Sequence, residues 1–301
     1  MNPLTGFFRS KKRRNRLLLV SGAVVLLAAL LTVLLHACAA EQTDTTPAIP
    51  SNELLINDLY EGKKLIPKYS IAKNTYVNSK FSKKNGLLSY ADKNAVRGID
   101  VSEWQGNINW KKVKAAGIDF AIVRVGYRGQ TVGKIFADKK FQQNMTGASA
   151  AGVELGVYFY SQAVTKAEAE EEAAYVLQKI APYKLKWPVA FDWEPGEAAN
   201  GTATGSTRTD PVTPTQVTQF VKAFCSKIQA YGYQPCFYTN KNMGYATFNL
   251  KALEAYPMWY AEYQDLPSFY YHFDLWQYAS KGKVNGISNT VDLNIAFRHF
   301  S

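Results

Sequence analysis

Cysteine and histidine are both scarce, three of each in 301 residues, and they are scattered. No Cys/His cluster has metal-site spacing, which disfavours a metal mechanism, and no cofactor is expected. Cys225, on an expected helix, and Cys236, opening the next strand, fit either a disulfide in an exported protein or two reduced buried thiols. A glycine-rich phosphate loop is missing too: Gly126-Tyr127-Arg128-Gly129 is too short and misplaced for one, and reads as a strand-end turn. The formal charge of +11 argues only weakly for nucleic acid, and none is expected as a partner. Arg9, Lys11, Lys12, Arg13, Arg14 and Arg16 form one block ahead of an apolar run. The remainder is mildly basic, which suits an anionic surface such as a bacterial envelope.

What is present begins with that run. Residues 17–35 carry no charge and meet the threshold of roughly 18 apolar residues for a membrane span. The basic block before them puts the N-terminus in the cytoplasm and the rest outside. The expected organisation is a cytoplasmic segment (1–16), a transmembrane anchor or signal segment (17–35), an extracytoplasmic linker and extension (36–96) and a main domain (97–301). Leu35-His36-Ala37-Cys38 has part of a lipoprotein cleavage pattern, so secretion or lipid anchoring at Cys38 is the alternative to a single-pass protein of the cell membrane. Residues 52–96 are rich in Lys and Asn without a long periodic pattern, and an irregular extension is expected there.

From Arg97 onward, short β-branched and aromatic runs alternate with helical patterns. Strands are expected at 98–101, 120–125, 155–160, 189–194, 235–239, 258–263, 275–278 and 291–295. Thr165 with Glu168, and Thr213-Pro214 with Gln216, are capping signatures that start two helices. Val217, Phe220, Val221, Phe224 and Ile228 repeat at helical spacing as core. Alternation of this kind implies a mostly parallel α/β sheet, and eight strands imply an irregular TIM-like barrel.

Chemistry in such barrels sits at the C-terminal strand ends. Asp192 and Glu194 fall there in Phe191-Asp192-Trp193-Glu194-Pro195. Residues two apart on a strand share a face, so the two carboxylates project together. Their proximity drives their pKa values apart, leaving one a proton donor and the other charged, the division of labour for cleaving a glycosidic bond. Asp100 ends the first strand and Asp292 lies on the last; first and last strands of a barrel are neighbours, so these two should flank each other. Tyr127, Tyr158, Tyr160, Trp193, Tyr238, Trp259, Tyr263, Trp276 and Tyr278 gather at the same ends. About half are expected to be core, and the others to line a cleft where sugar faces stack. Residues 195–214 form a long loop over the site.

Together these segments resemble the glycoside hydrolase family 25 muramidases, the Chalaropsis-type lysozymes. The matching stretches are Gly98-Ile99-Asp100-Val101-Ser102 with Trp104-Gln105-Gly106, then 119–127, 156–161, Phe191-Asp192-Trp193-Glu194, Trp259-Tyr260-Ala261-Glu262-Tyr263, Leu275-Trp276-Gln277-Tyr278 and Val291-Asp292-Leu293-Asn294. The resemblance is to membrane-tethered members from clostridia-like bacteria. It implies a (β/α)5β3 barrel that hydrolyses the β-1,4 bond between N-acetylmuramic acid and N-acetylglucosamine. Glu194 would be the general acid and Asp192 its charged partner, either assisting the substrate's acetamido group or acting as nucleophile or base. Asp100 and Asp292 would shape the charge, with Tyr160, Tyr238, Trp259, Tyr127 and Gln277 as substrate contacts. The partner implied is a peptidoglycan glycan strand, met by a monomer. Glu103-Trp104 departs from the Ser-x-His-Gln of many members. A non-catalytic wall-binding scaffold and a hydrolase of another amino-sugar polymer are the alternatives.

Overall fold

The computed structural model describes residues 49–196 and 207–300, together with Thr32. The expected cytoplasmic segment and the run at 17–35 lie outside the described residues, apart from Thr32, as does the middle of the 195–214 loop. No helix among the described residues is long and apolar enough to cross a membrane.

Two hairpins come first: β1 (Glu53–Asp58) with β2 (Gly62–Pro67), and β3 (Phe81–Lys84) with β4 (Leu87–Tyr90). Then follow β5 (Val96–Val101), α1 (Trp110–Ala115), β6 (Phe120–Arg128), the short β7 (Ile135–Ala137), α2 (Phe141–Ala150), β8 (Glu154–Ser161), α3 (Lys166–Ile180), β9 (Val189–Trp193) and α4 (Pro214–Ala230). The chain ends with β10 (Pro235–Asn240), α5 (Lys241–Ala246), α6 (Leu250–Leu253), β11 (Met258–Ala261), β12 (Leu275–Gly282) and β13 (Val291–Ala296). Pairing runs β5-β13-β12-β11-β10-β9-β8-β6, and β5 also pairs with β6, which closes an eight-stranded barrel with β7 as an outrigger on β6. All barrel pairs are parallel except those of β13, which runs antiparallel to β12 and β5. Helices follow the first five barrel strands and none separates the last three. Every strand expected from sequence is present.

The helix starts follow their capping residues. Thr213 accepts from the Gln216 N–H and Gln216 reaches back, with Pro214 at the first helical position. Thr165 caps Glu168, whose carboxylate instead takes the Val164 N–H at 2.8 Å. The α4 stripe Val217, Phe220, Val221, Phe224 and Ile228 is at most 2% exposed.

Strand alternation splits the core in two. One set of side chains fills the barrel interior: Phe120, Ile122, Ala190, Cys236, Tyr238, Trp259, Ala261, Leu275 and Ala296. Gly98 faces this interior, where a Cβ would come within 2.3 Å of the Phe120 ring, so only glycine fits beside that phenyl. The other set packs the barrel wall against helices and hairpins. Cys225 and Cys236 are buried free thiols, the Cys225 Sγ donating to the Cys236 carbonyl at 3.7 Å.

The extension is more ordered than its sequence pattern implied. Its hairpins cover the barrel wall where β11–β13 lack helices. Tyr76 stacks on Phe297 (centroids 3.8 Å apart), Phe81 meets Trp276 edge-on, the Leu88 N–H donates to the Tyr278 hydroxyl, and the Tyr271 hydroxyl donates to the Pro67 carbonyl. Ile66, Leu87 and Leu88 join the wall core. Short strands with distant partners leave little local periodicity, which is why the cover was not visible in the sequence.

Candidate active site

The parallel strands bring their C-terminal residues to one end of the barrel. Asp100 and Asp192 point inward there, with Glu194 one residue beyond β9. Because β13 is antiparallel, its first turn of alternation reaches the same end, and the register sets Asp292 directly opposite Asp100. Four carboxyl groups from three strands therefore share this end.

Asp100 is the best-supported of them. It is 5% exposed, and its Oδ2 accepts from Gln277 Nε2 (2.9 Å) and Asn294 Nδ2 (2.7 Å). Each amide is oriented by a donor behind it. Trp259 Nε1 donates to Asn294 Oδ1 at 2.8 Å, and an indole N–H can only donate, so the Asn294 amino group must turn to Asp100. The hydroxyls of Tyr238 and Tyr263 both donate to Gln277 Oε1 at 3.1 Å, with the same result. Burial pushes Asp100 up to about 6, and the two amides keep it from rising further.

Asp292 is pushed up to about 8, by burial first and then by the Asp100 charge. Asp192 lies well above the usual carboxylate range, through burial, then the neighbouring Glu194 and Asp100. A side-chain hydrogen bond joins Asp192 to Glu194, so the two hold a proton between them. Asp192 is the more buried of the two, at 6% exposed, and Glu194 lies closer to solvent. Its Oδ1 is buried without a hydrogen-bond partner, an arrangement that costs about 1–3 kcal/mol. Tyr158 is raised by burial and then by Asp100.

No ion pair among the described residues involves Asp100, Asp192 or Asp292. The nearby cation, Arg124, lowers Asp192 somewhat, but its guanidinium is engaged by Asp138 (2.8 Å) and Glu103 (3.2 Å). Glu103 thus holds an arginine beside the acids. Gln162, wholly buried, donates from Nε2 to the Glu194 carbonyl at 2.6 Å and fixes the backbone that carries this acid.

The aromatics divide by strand face. Trp193, Trp276 and Tyr278 point outward into the wall core, Trp193 donating to the Ala163 carbonyl. Of the five side chains expected at sugars, Tyr127 and Tyr160 are partly exposed. Tyr238 and Gln277 are 7% and 4% exposed and sit in the network under Asp100. Trp259, at 1%, lies inside the narrow barrel between Tyr158 and Tyr238, where it steadies Asn294 and has no face to offer a sugar. Gln162, Asn294 and Arg124 were not expected as site residues, and Tyr263 was expected only among the strand-end aromatics. Asn294 and Gln162 stand two residues from Asp292 and Tyr160, so period-2 alternation was the signal that could have found them.

The profile of the glycosyl hydrolases family 25 matches residues 99–287. The chain belongs to this family. It is accordingly a glycoside hydrolase by class, and its eight-stranded barrel is the family fold. Lysozyme M1 of Streptomyces globisporus is 29% identical over 218 residues, covering 68% of each chain. The autolytic lysozyme of Clostridium acetobutylicum is 26% identical over 202 residues, covering 66% of this chain and 55% of its own. Among solved structures, the bacterial lysozyme from Streptomyces coelicolor superposes with a TM-score of 0.50 at 26% identity, covering 67% of this chain and 92% of that one. The modular autolysin LytC from Streptococcus pneumoniae shares the fold, with a TM-score of 0.59 at 23% identity over 82% of this chain. The chain spans little more than half the length of the clostridial and pneumococcal relatives, 55% and 57%.

Proposed function

We propose that this chain is a peptidoglycan hydrolase, an N-acetylmuramidase that cleaves the β-1,4 bond between N-acetylmuramic acid and N-acetylglucosamine. The observation that carries the assignment is the Asp192–Glu194 pair, hydrogen-bonded to each other at the mouth of a family 25 barrel. Lysozymes from Streptomyces and Clostridium among the relatives support the choice of polymer.

In this scheme Glu194, the more accessible of the two, delivers the shared proton to the leaving glycosidic oxygen. Asp192 becomes the charged partner as that proton leaves. Carboxyl groups bonded side by side leave no room for a water between them, unlike an inverting pair roughly 6.5–9.5 Å apart. The arrangement therefore favours assistance by the substrate's acetamido group: Asp192 would orient that group and take up its N–H proton as the carbonyl oxygen attacks the anomeric carbon. The buried, unpartnered Oδ1 of Asp192 is the acceptor available for it. Asp100, whose charged form is held by two amides, supplies negative potential under the positive charge that develops on the sugar ring, with Asp292 beside it. Gln162 positions Glu194, and Trp259 positions Asn294; Tyr127 and Tyr160 are the remaining candidates for sugar contact.

The chain would act as a monomer, tethered through residues 17–35 with the barrel outside the cell, as a membrane-anchored, clostridia-like member of the family. The basic block ahead of the apolar run supports this orientation. Retention of the full chain in membranes after an alkaline carbonate wash is the expected result, and release of a shorter form would contradict it. The activity is tested by clearing of a purified peptidoglycan suspension, expected for the wild type and absent with Glu194→Gln; equal clearing by both would remove Glu194 from the mechanism.

A further inference from the structure

The turn between β1 and β2 lies outside the residues matched by the family, and it reaches the acid end of the barrel. Lys241 directly follows β10 and Glu262 directly follows β11, so both mark the C-terminal rim. Asp58, closing β1, is 4% exposed, and its Oδ2 meets Lys241 Nζ at 2.9 Å and accepts from Ser268 Oγ at 3.1 Å. Lys241 also pairs with Glu61 and Glu262, each at 2.9 Å. The Tyr60 hydroxyl donates to the Leu266 carbonyl at 2.9 Å. The hairpin tip is thereby fixed to the rim at several points.

A tip held this firmly nevertheless leaves its apolar side chains in water: Leu59 is 52% exposed and Tyr60 44%. Inward along the same rim stands Tyr263, 53% exposed, with its hydroxyl on Gln277 and so on the network that holds Asp100. Exposed rings thus lead from the acids to the hairpin tip. The charges along this path are largely paired, Lys241 with three carboxylates and Lys64 with Glu61 at 2.7 Å. Ring faces with satisfied charges beside them suit an uncharged sugar unit with an apolar face and a hydroxyl rim, such as the N-acetylglucosamine of a glycan strand, rather than a lipid headgroup.

We propose that Tyr60 and Leu59, together with Tyr263, form a distal saccharide subsite, which binds the same glycan strand at a sugar away from the cleaved bond. The inference rests on the hydrolase assignment for the identity of the strand. The ring of Tyr60 stacks on the apolar face of a pyranose, and the exposed Glu61 carboxylate accepts from its hydroxyls. The N-terminal hairpin then lengthens the cleft beyond what the barrel alone provides.

The test uses the full chain and peptide-free peptidoglycan strands fractionated by length. For Tyr60→Ala, the ratio of kcat/KM on long strands to that on the shortest fragment cleaved is expected to fall roughly fivefold, the size of one aromatic stacking contact. Tyr60→Phe, which keeps the ring, is expected to restore most of the ratio. An unchanged ratio in Tyr60→Ala, or an equal loss on long and short substrates, overturns the subsite and leaves the hydrolase assignment standing. Should the wild type bind strands without cleaving them, the assignment fails and the ratio of binding constants decides the subsite by the same criterion. A wild type that neither cleaves nor binds overturns both.

Discussion

Asp58, Glu61 and Glu262 surround Lys241 on the outer side of the barrel rim, while Asp100, Asp192 and Asp292 face one another at its centre. Both groups gather carboxylates from separate strands and turns at the same end of one barrel. Their electrostatics differ in sign. Burial alone would raise Asp58, but the Lys241 ammonium and the Tyr60 and Glu61 N–H groups bring it below its ordinary value. Glu61 is lowered by Lys64 and then Lys241. The lysine is raised in return: its three carboxylates outweigh its burial. At the centre no ammonium or guanidinium bonds Asp100, Asp192 or Asp292, neutral amides hold Asp100, and all three are raised. Acids that fasten the hairpin bond a cation, and those assigned to chemistry do not, since the nearby Arg124 is engaged by Glu103 and Asp138. A row of acids in a sequence does not reveal which group it belongs to, because the cation comes from a distant segment.

The largest break in this comparison should come from Glu194→Gln. Loss of the acid is expected to lower kcat by roughly three orders of magnitude with little change in Tm. Measured turnover of peptidoglycan fragments checks it, and near-normal kcat would mean that the central group is as structural as the outer one.

Next in size, Asn294→Ala removes one of the two amides on Asp100. Losing a hydrogen bond to the charged form raises a carboxyl pKa, so the acidic limb of the kcat/KM–pH profile should move above about 6, with activity down roughly tenfold. A uniform loss with no shift of that limb would reduce Asn294 to a packing role.

Lys241→Met probes the outer group instead. It leaves Asp58 buried without its cation and should destabilise the protein by about 3 kcal/mol, read by chemical denaturation, while kcat falls far less than in the Glu194 variant. The lowered acids of this group add stability at neutral pH that is lost as pH falls through their native values, and the variant should lose less on acidification.

The smallest effect concerns Asp292 and has the opposite sign. Its native pKa of about 8 lies above its ordinary value, so the folded state binds this proton more tightly than the unfolded state. The stability it contributes is present at low pH and lost as pH rises through about 8. The Tm of the wild type should therefore fall between about pH 5 and pH 8.5, and that of Asp292→Asn should fall less. Parallel Tm curves would show that Asp292 is ionised throughout.

Much of the barrel and its acids was legible before any coordinates, because period-2 alternation is a local property. It set Asp192 beside Glu194, and the closure of an eight-stranded barrel set Asp100 beside Asp292. The roles of Gln277 and Trp259 were not legible in the same way. Gln277 acts through Tyr238 and Asp100, residues far from it in the chain. Trp259 points inward like the acids but stops below them, and its depth in the barrel depends on register. The rise of Asp192 above the carboxylate range follows from burial, which alternation does not report. The hairpin cover stayed hidden because the partners of Tyr76 and Leu88, Phe297 and Tyr278, lie some two hundred residues away.

The most direct test of the hydrolase assignment is to incubate the full chain with purified peptidoglycan, reduce the products with borohydride and identify the new sugar ends by mass spectrometry. Reduced N-acetylmuramic acid ends, absent with Glu194→Gln, are the expected result. Reduced ends of another sugar, or intact strands with the wild type, would contradict it.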